Sequence, residues 1–115
     1  MKLDNYSVLN RIINSIEKIK GTNIHIINLT KIENLFFDYI VICSANSSIQ
    51  VSSIVSSVKE KIIGEKPLHI EGLINAQWVL IDYDNILINI FQKHIRKYYN
   101  LETLWLKRLL KKIMI

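Results

Sequence analysis

The chain is poor in the residues that cross-link or punctuate a fold. Of its 115 residues, one is cysteine, one is proline and three are glycine. The lone Cys43 excludes an intramolecular disulfide and fits a reducing compartment. Long apolar runs are also missing: none approaches the roughly 20 residues that cross a bilayer. The start lacks the pattern of a signal peptide. These absences predict a soluble intracellular protein with no membrane partner, and the lack of a transit-like start favours a bacterial cytoplasm over an organelle. No repeat, low-complexity linker or composition break divides the sequence, so residues 1–115 read as a single domain with one modest core.

What is present is hydrophobic periodicity. Half of the residues are hydrophobic and 22% are charged, a globular composition. Leu9, Ile12, Ile13, Ile16 and Ile19 recur at helical spacing. They predict a helix from about Asp4, which can cap it, to Lys20, with Gly21 after its end. Asn23–Leu29 reads as a strand, and Asp38–Ala45 as a second, nearly all apolar and central. A second helix begins at Ser47, where Ser47 and Gln50 form a capping-box pair. Val51, Ile54, Val55, Val58 and Ile62 are its apolar stripe, and it stops before Gly64 and Pro67. Leu68–Gly72 is a short strand near an edge. Two strands in "QWVLIDYDNILINIF" (Gln77–Phe91) and a helical region from about Lys93 complete the order. This alternation predicts an α/β fold with a mixed sheet of about five strands and helices packed on it.

Charge is distributed unevenly. The net charge is +5, yet residues 93–115 hold seven Lys/Arg against one acid, Glu102. Residues 1–92 hold eight bases and nine acids. The helical end, about 93–115, is therefore the basic part of the chain. Lys107, Arg108, Lys111 and Lys112 are candidates for contact with RNA, and a solvated helix face explains them equally well.

The Asp82-Tyr83-Asp84 triplet raises the question of a metal site. Two-metal phosphoryl transfer needs carboxylates converging on ions roughly 4 Å apart, and residues two apart on a strand share a face. A nucleotidyltransferase-like enzyme using Asp82 and Asp84 is the rival to a plain hairpin. The hairpin phasing favours the turn. With Asp84-Asn85 as a two-residue loop, Tyr83 pairs with Ile86, Ile81 with Ile88 and Val79 with Ile90. These six residues then form one core face, and Trp78, Leu80, Asp82, Leu87, Asn89 and Phe91 occupy the other. Such an enzyme also needs a Gly-Ser loop to cradle a triphosphate, and no glycine here is followed by serine.

Other chemistry is weaker still. Cys43 lies in a buried-looking strand and behaves as a small hydrophobe. His25, His69 and His94 show no metal-ligand spacing. "SANSS" (Ser44–Ser48), at a strand-to-helix junction, could bind an anion, and a helix cap explains it equally well and more commonly. No catalytic group, cofactor or metal is expected. The unusual feature is the second hairpin face, where Trp78, Leu80 and Phe91 stand beside Asp82 and Asn89. Large aromatic and apolar groups among a few polar ones are the material of protein interfaces. A helix covering the face is the structural alternative.

Three motifs occur in a specific order: "FDYIVICSANSS" (Phe37–Ser48), then Glu71-Gly72 followed by "AQWVLIDY" (Ala76–Tyr83), then "R..Y.LE.LW" (Arg96–Trp105). From the first helix to Trp105 the chain resembles the ribosomal silencing factor (Iojap, RsfS) family. The resemblance implies an α/β fold related to nucleotidyltransferases without their catalytic residues. It implies binding to the large ribosomal subunit through its protein number fourteen, and a block of subunit joining that lowers translation in starvation or stationary phase. A role in large-subunit assembly is the alternative. By matching motif position, Trp78 and Leu80 would supply apolar contact, and Asp82 and Tyr83 polar anchors. Glu71, Gly72, Arg96 and Tyr99 would join them, with Asn89 and Phe91 on the same face. Glu71 could instead pair with Arg96, and Trp105 could pack the last helix on the sheet. An apolar face of this kind could also form a homodimer in the free protein.

The sequence departs from the family pattern at three places. Ala45 stands where the family has glycine, so that corner cannot use glycine's freedom. Asp84-Asn85 replaces a Gly-Asp turn, and Asn89 replaces a histidine. The basic end, "KRLLKKIMI", has no family role.

Overall fold

Two strands with almost no polar side chain set the architecture. In a computed structural model that describes residues 4–100 apart from Asn34, Phe36, Ile63 and the side chain of Tyr99, these two strands pair in parallel at the sheet centre. The elements are α1 (Asn5–Lys18), β1 (Thr22–Asn28), β2 (Tyr39–Ala45), α2 (Ser48–Lys61), β3 (His69–Glu71), β4 (Trp78–Asp82), β5 (Ile86–Gln92) and α3 (Lys93–Tyr99). Strand order is β1-β2-β5-β4-β3. Only β2 and β5 run parallel; the other three pairings are antiparallel. The expected five-stranded mixed sheet is present, and its element boundaries fall within a few residues of the sequence reading. The rest of the basic end, residues 101–115 with Trp105, Lys107, Arg108, Lys111 and Lys112, lies outside the described residues.

Side-chain alternation divides the sheet into two faces. One packs against α1 and α2: Val41, Cys43, Val79, Ile81, Ile88 and Ile90 meet Ile12, Ile16, Val51, Ile54 and Val58. Full burial of such side chains is worth about 1.5–3 kcal/mol each, so this layer is the main stabilising mass. The two helices approach through small residues. Ser15 and Ser57 are buried between them, with the Ser57 hydroxyl donating to the Ser15 carbonyl at 3.4 Å. Cys43 is fully buried, and burial pushes its thiol up to about 12, against a weaker opposing pull from the Arg96 charge. It is a core residue.

The helix ends use local hydrogen bonds. Asp4 caps α1 by accepting from the Ser7 backbone N–H at 2.9 Å and from its hydroxyl. These bonds hold the Asp4 carboxyl below its ordinary range, so the cap is present at neutral pH and is lost as pH falls through that lowered value. At the other end, Lys20 takes the left-handed conformation expected of Gly21, and the Gly21 N–H reaches the Ile16 carbonyl. In α2, Ser47 accepts from the Gln50 N–H as expected of a cap. The Gln50 side chain closes one residue earlier than a standard box, accepting from the Asn46 N–H at 2.6 Å. Its amide also donates to the Ile19 and Lys20 carbonyls, tying the start of α2 to the end of α1. Ala45 keeps an ordinary backbone, so this corner does not need glycine.

The loop between β3 and β4 does need it. Gly72 takes φ +91°, and a Cβ there would lie 2.0 Å from the Trp78 carbonyl oxygen. The Ala76 N–H donates to the Gly72 carbonyl at 2.9 Å, closing the loop and aiming the chain into β4. Gly72→Ala should therefore cost more than about 2 kcal/mol, from a backbone clash added to left-handed strain. Gly64, at φ +90° in open space, should lose only about 1 kcal/mol on the same change. Urea unfolding of the two variants checks the order; equal losses would remove the clash as the reason for Gly72.

Candidate functional site

The second face of the sheet is built from β3, β4 and β5 at one side and β1 and β2 at the other. Over β1 and β2, the segment after β1 folds back: Leu29, Ile32, Leu35 and Phe37 cluster with Ile40, Ile42 and Leu87. From α3, Ile95 joins this cluster beside Phe91. Among the described residues the cover over β1 and β2 comes from this segment and Ile95 rather than from a long helix. On the β4 side, Trp78, Leu80 and Asp82 are partly exposed.

The hairpin register places these side chains as the phasing predicts. Trp78 faces Phe91, Leu80 faces Asn89 and Asp82 faces Leu87, while Val79–Ile90 and Ile81–Ile88 fill the helix side. Trp78 is held by two neighbours on β5. Its ring stacks on Phe91 with centroids 4.9 Å apart and planes at 19°. Its indole N–H donates to the Asn89 Oδ1 at 3.0 Å. Phe91 and Asn89 are buried beneath it, at 0% and 1% exposure. They hold the indole in position and are not themselves offered to a partner.

The rim is polar. Asp82 spends one carboxylate oxygen on the Asp84 backbone N–H, at 2.8 Å, and Asp84 takes φ 74° in the turn. This is the local Asx bond that favours aspartate at turns. Among the described residues no group of three or more His, Cys, Asp or Glu could hold a metal ion. On the neighbouring strand, Glu71 accepts from or pairs with His69 Nε2 at 2.7 Å, both being exposed. The Glu71–Arg96 pairing considered from sequence is not what the fold provides. Arg96 bonds the Ser44 hydroxyl and the Asn23 carbonyl near the β1 edge, with β5 and β4 between it and β3.

The family model described as "Ribosomal silencing factor during starvation" matches residues 3–114. The chain belongs to the RsfS family. Ribosomal silencing factor RsfS of Halalkalibacterium halodurans is 35% identical over 106 residues, covering 90% of this chain and 89% of that protein. Two solved structures share the fold. One, from Chromobacterium violaceum, superposes with a TM-score of 0.83 at 26% identity over 90% of this chain and 87% of that one. Another, from Bacillus halodurans, gives 0.77 at 33% identity over 88% and 95%.

The family motifs can now be sorted by what their residues touch. Trp78, Leu80, Asp82 and Glu71 share one partly open face. Gly72 serves the loop that positions Trp78. Arg96 belongs to a separate corner near β1, and the side chain of Tyr99 lies outside the described residues. Tyr83 must be corrected: it is 6% exposed and packs in the helix-side core, on the face opposite Trp78. The alternation of β4 requires this, since Trp78, Leu80 and Asp82 take every second position. Sequence reading overlooked Leu68 and Ile74, which flank the β3–β4 region at 69% and 99% exposure. Isolated apolar residues in a loop carry no periodicity that would have marked them.

Tyr83 offers a direct test of its placement. Its hydroxyl is buried without a hydrogen-bond partner. Burial, aided by the Glu65 charge, pushes it up to about 12 from 10.0. The protonated form is thus favoured in the folded state; its stability is complete below pH 10 and declines as pH rises from there towards 12. Tyr83→Phe removes an unsatisfied hydroxyl and should be neutral or slightly stabilising at pH 7. Thermal unfolding should also show a smaller loss between pH 10 and 12 in this variant. A marked destabilisation at pH 7 would mean that the hydroxyl has a partner.

Proposed function

We propose that this protein acts by occupation of a surface rather than by catalysis. It docks on the large ribosomal subunit through that subunit's protein number fourteen and obstructs the approach of the small subunit, lowering translation in starvation or stationary phase. Membership of a family named for ribosomal silencing supports the ribosomal setting. The observation that carries the docking surface is the indole of Trp78, fixed by Phe91 and Asn89 on a sheet face where Trp78, Leu80 and Asp82 are partly exposed.

The physical logic is preorganisation. An aromatic side chain already fixed by stacking and a hydrogen bond loses little entropy on binding, and central aromatic anchors carry much of an interface's energy. Leu80 extends the apolar area, with Asp82 and Glu71 as a polar rim that selects orientation. A stable complex across such a face excludes a competing surface by sterics alone, so no reaction or cofactor enters. The same face would also suit self-association in the cytoplasm when no ribosome is available.

Sedimentation with purified ribosomal subunits tests the proposal. Wild-type protein should migrate with large subunits and reduce the joined population. Trp78→Ala should weaken this by about 30-fold, the effect of losing a contact worth roughly 2 kcal/mol. Tyr83→Phe, on the other face, should bind like wild type. Binding to large subunits without any effect on joining would point to an assembly role. Failure of the wild type to bind them would remove the proposal.

A further inference from the structure

A second surface, lined by α3 and the β1 edge and not by Trp78, has a different chemistry. The parallel strands β2 and β5 end side by side, and their chains then part: α2 packs on one face of the sheet, while α3 lies towards the other, where Ile95 joins the second cluster. In open α/β sheets such a divergence beyond the carboxyl ends of strands creates a crevice that takes ligands. Beside this divergence, on the β1 side of Ser44 at the end of β2, lies a cleft of ≈ 870 Å³ between α3 and the β1 edge. Lys93, His94, Arg96 and Lys97 line it, and its described lining includes no acidic residue.

We propose that this cleft binds the phosphodiester backbone of RNA. Arg96 is set in place by Nη1, which donates to the Ser44 hydroxyl at 2.8 Å and to the Asn23 carbonyl. Ser44 is itself buried. Lys93, His94 and Lys97 are exposed around this fixed guanidinium. Lys93 and Lys97 are one helical turn apart, a like-charged pair whose repulsion a bound anion relieves. The cleft is large for a single phosphate. Histidine is the only aromatic residue type in its described lining. Such a surface grips a backbone without reading sequence. The choice of RNA over an acidic protein rests on the ribosomal reading above.

The test measures binding of a short, labelled, mixed-sequence single-stranded RNA across a potassium chloride series. Removal of two phosphate-contacting lysines in Lys93→Gln/Lys97→Gln should reduce the slope of log affinity against log salt by about 1.4, roughly 0.7 for each contact to a single strand. Lys59→Gln/Lys61→Gln removes the same charge from α2 and should leave that slope unchanged. Trp78→Ala should also leave it unchanged, which separates this site from the docking face. Failure of the wild type to sediment with large subunits, with the RNA slopes as expected, would remove the docking proposal and leave this one. An unaltered slope in the Lys93/Lys97 variant, or an equal change in the Lys59/Lys61 variant, would overturn the RNA site. Polyglutamate competing as effectively as RNA would overturn the choice of ligand.

Discussion

Parallel pairing between β2 and β5 is the constraint from which the other features follow. Seven consecutive pairs, from Tyr39–Ile86 to Ala45–Gln92, join two strands whose residues are almost all buried on both faces. A parallel pair cannot be closed by a tight turn, so the chain between them must cross over. It does so through α2, β3 and β4, and thereby builds the helix layer and the hairpin on the way. The hairpin then adds to the free edge of β5, while β1 closes the edge of β2. Everything proposed for function lies at the margins of this central pair: Trp78 beside β5, and the cationic cleft on the β1 side of the end of β2.

The Trp78 face illustrates how a core can become an interface. Phe91 and Asn89 belong to a buried strand, yet their role in the proposed function is to hold a neighbouring ring from below. Asn89 uses its Oδ1 on the indole, whereas its Nδ2 is buried without a partner. An unsatisfied buried donor carries a cost of about 1–3 kcal/mol, and here it accompanies a hydrogen bond that orients Trp78.

Much of this was readable from the sequence because it depends on local periodicity. The apolar stripes of α1 and α2, the caps at Asp4 and Ser47, and the two-residue Asp84-Asn85 loop are all short-range effects. Even the hairpin faces follow from the loop length, since a slip by one residue would expose the isoleucines. The functional assignments were less legible. Tyr83 shares a motif with Trp78 but not a face, and Glu71 and Arg96 flank the hairpin in sequence while standing near opposite edges of the sheet. Proximity along the chain carried no information about which strands lie between them. Lys93 and Lys97 read from sequence as part of one basic end. The fold separates them into a cleft with Ser44 and Asn23, residues 49 to 74 positions away in the chain.

By itself, then, the sequence determined the elements, the alternation of faces and the family, because each is written in residue spacing or motif order. Tertiary structure alone decided that β2 lies against β5, that Gly72 is demanded by the Trp78 carbonyl, and that Phe91 and Asn89 support the indole from beneath. It also decided that Arg96 faces β1 rather than Glu71. These are contacts between segments distant in the chain, and their energies depend on which strands become neighbours, a choice made by burial of the whole core at once.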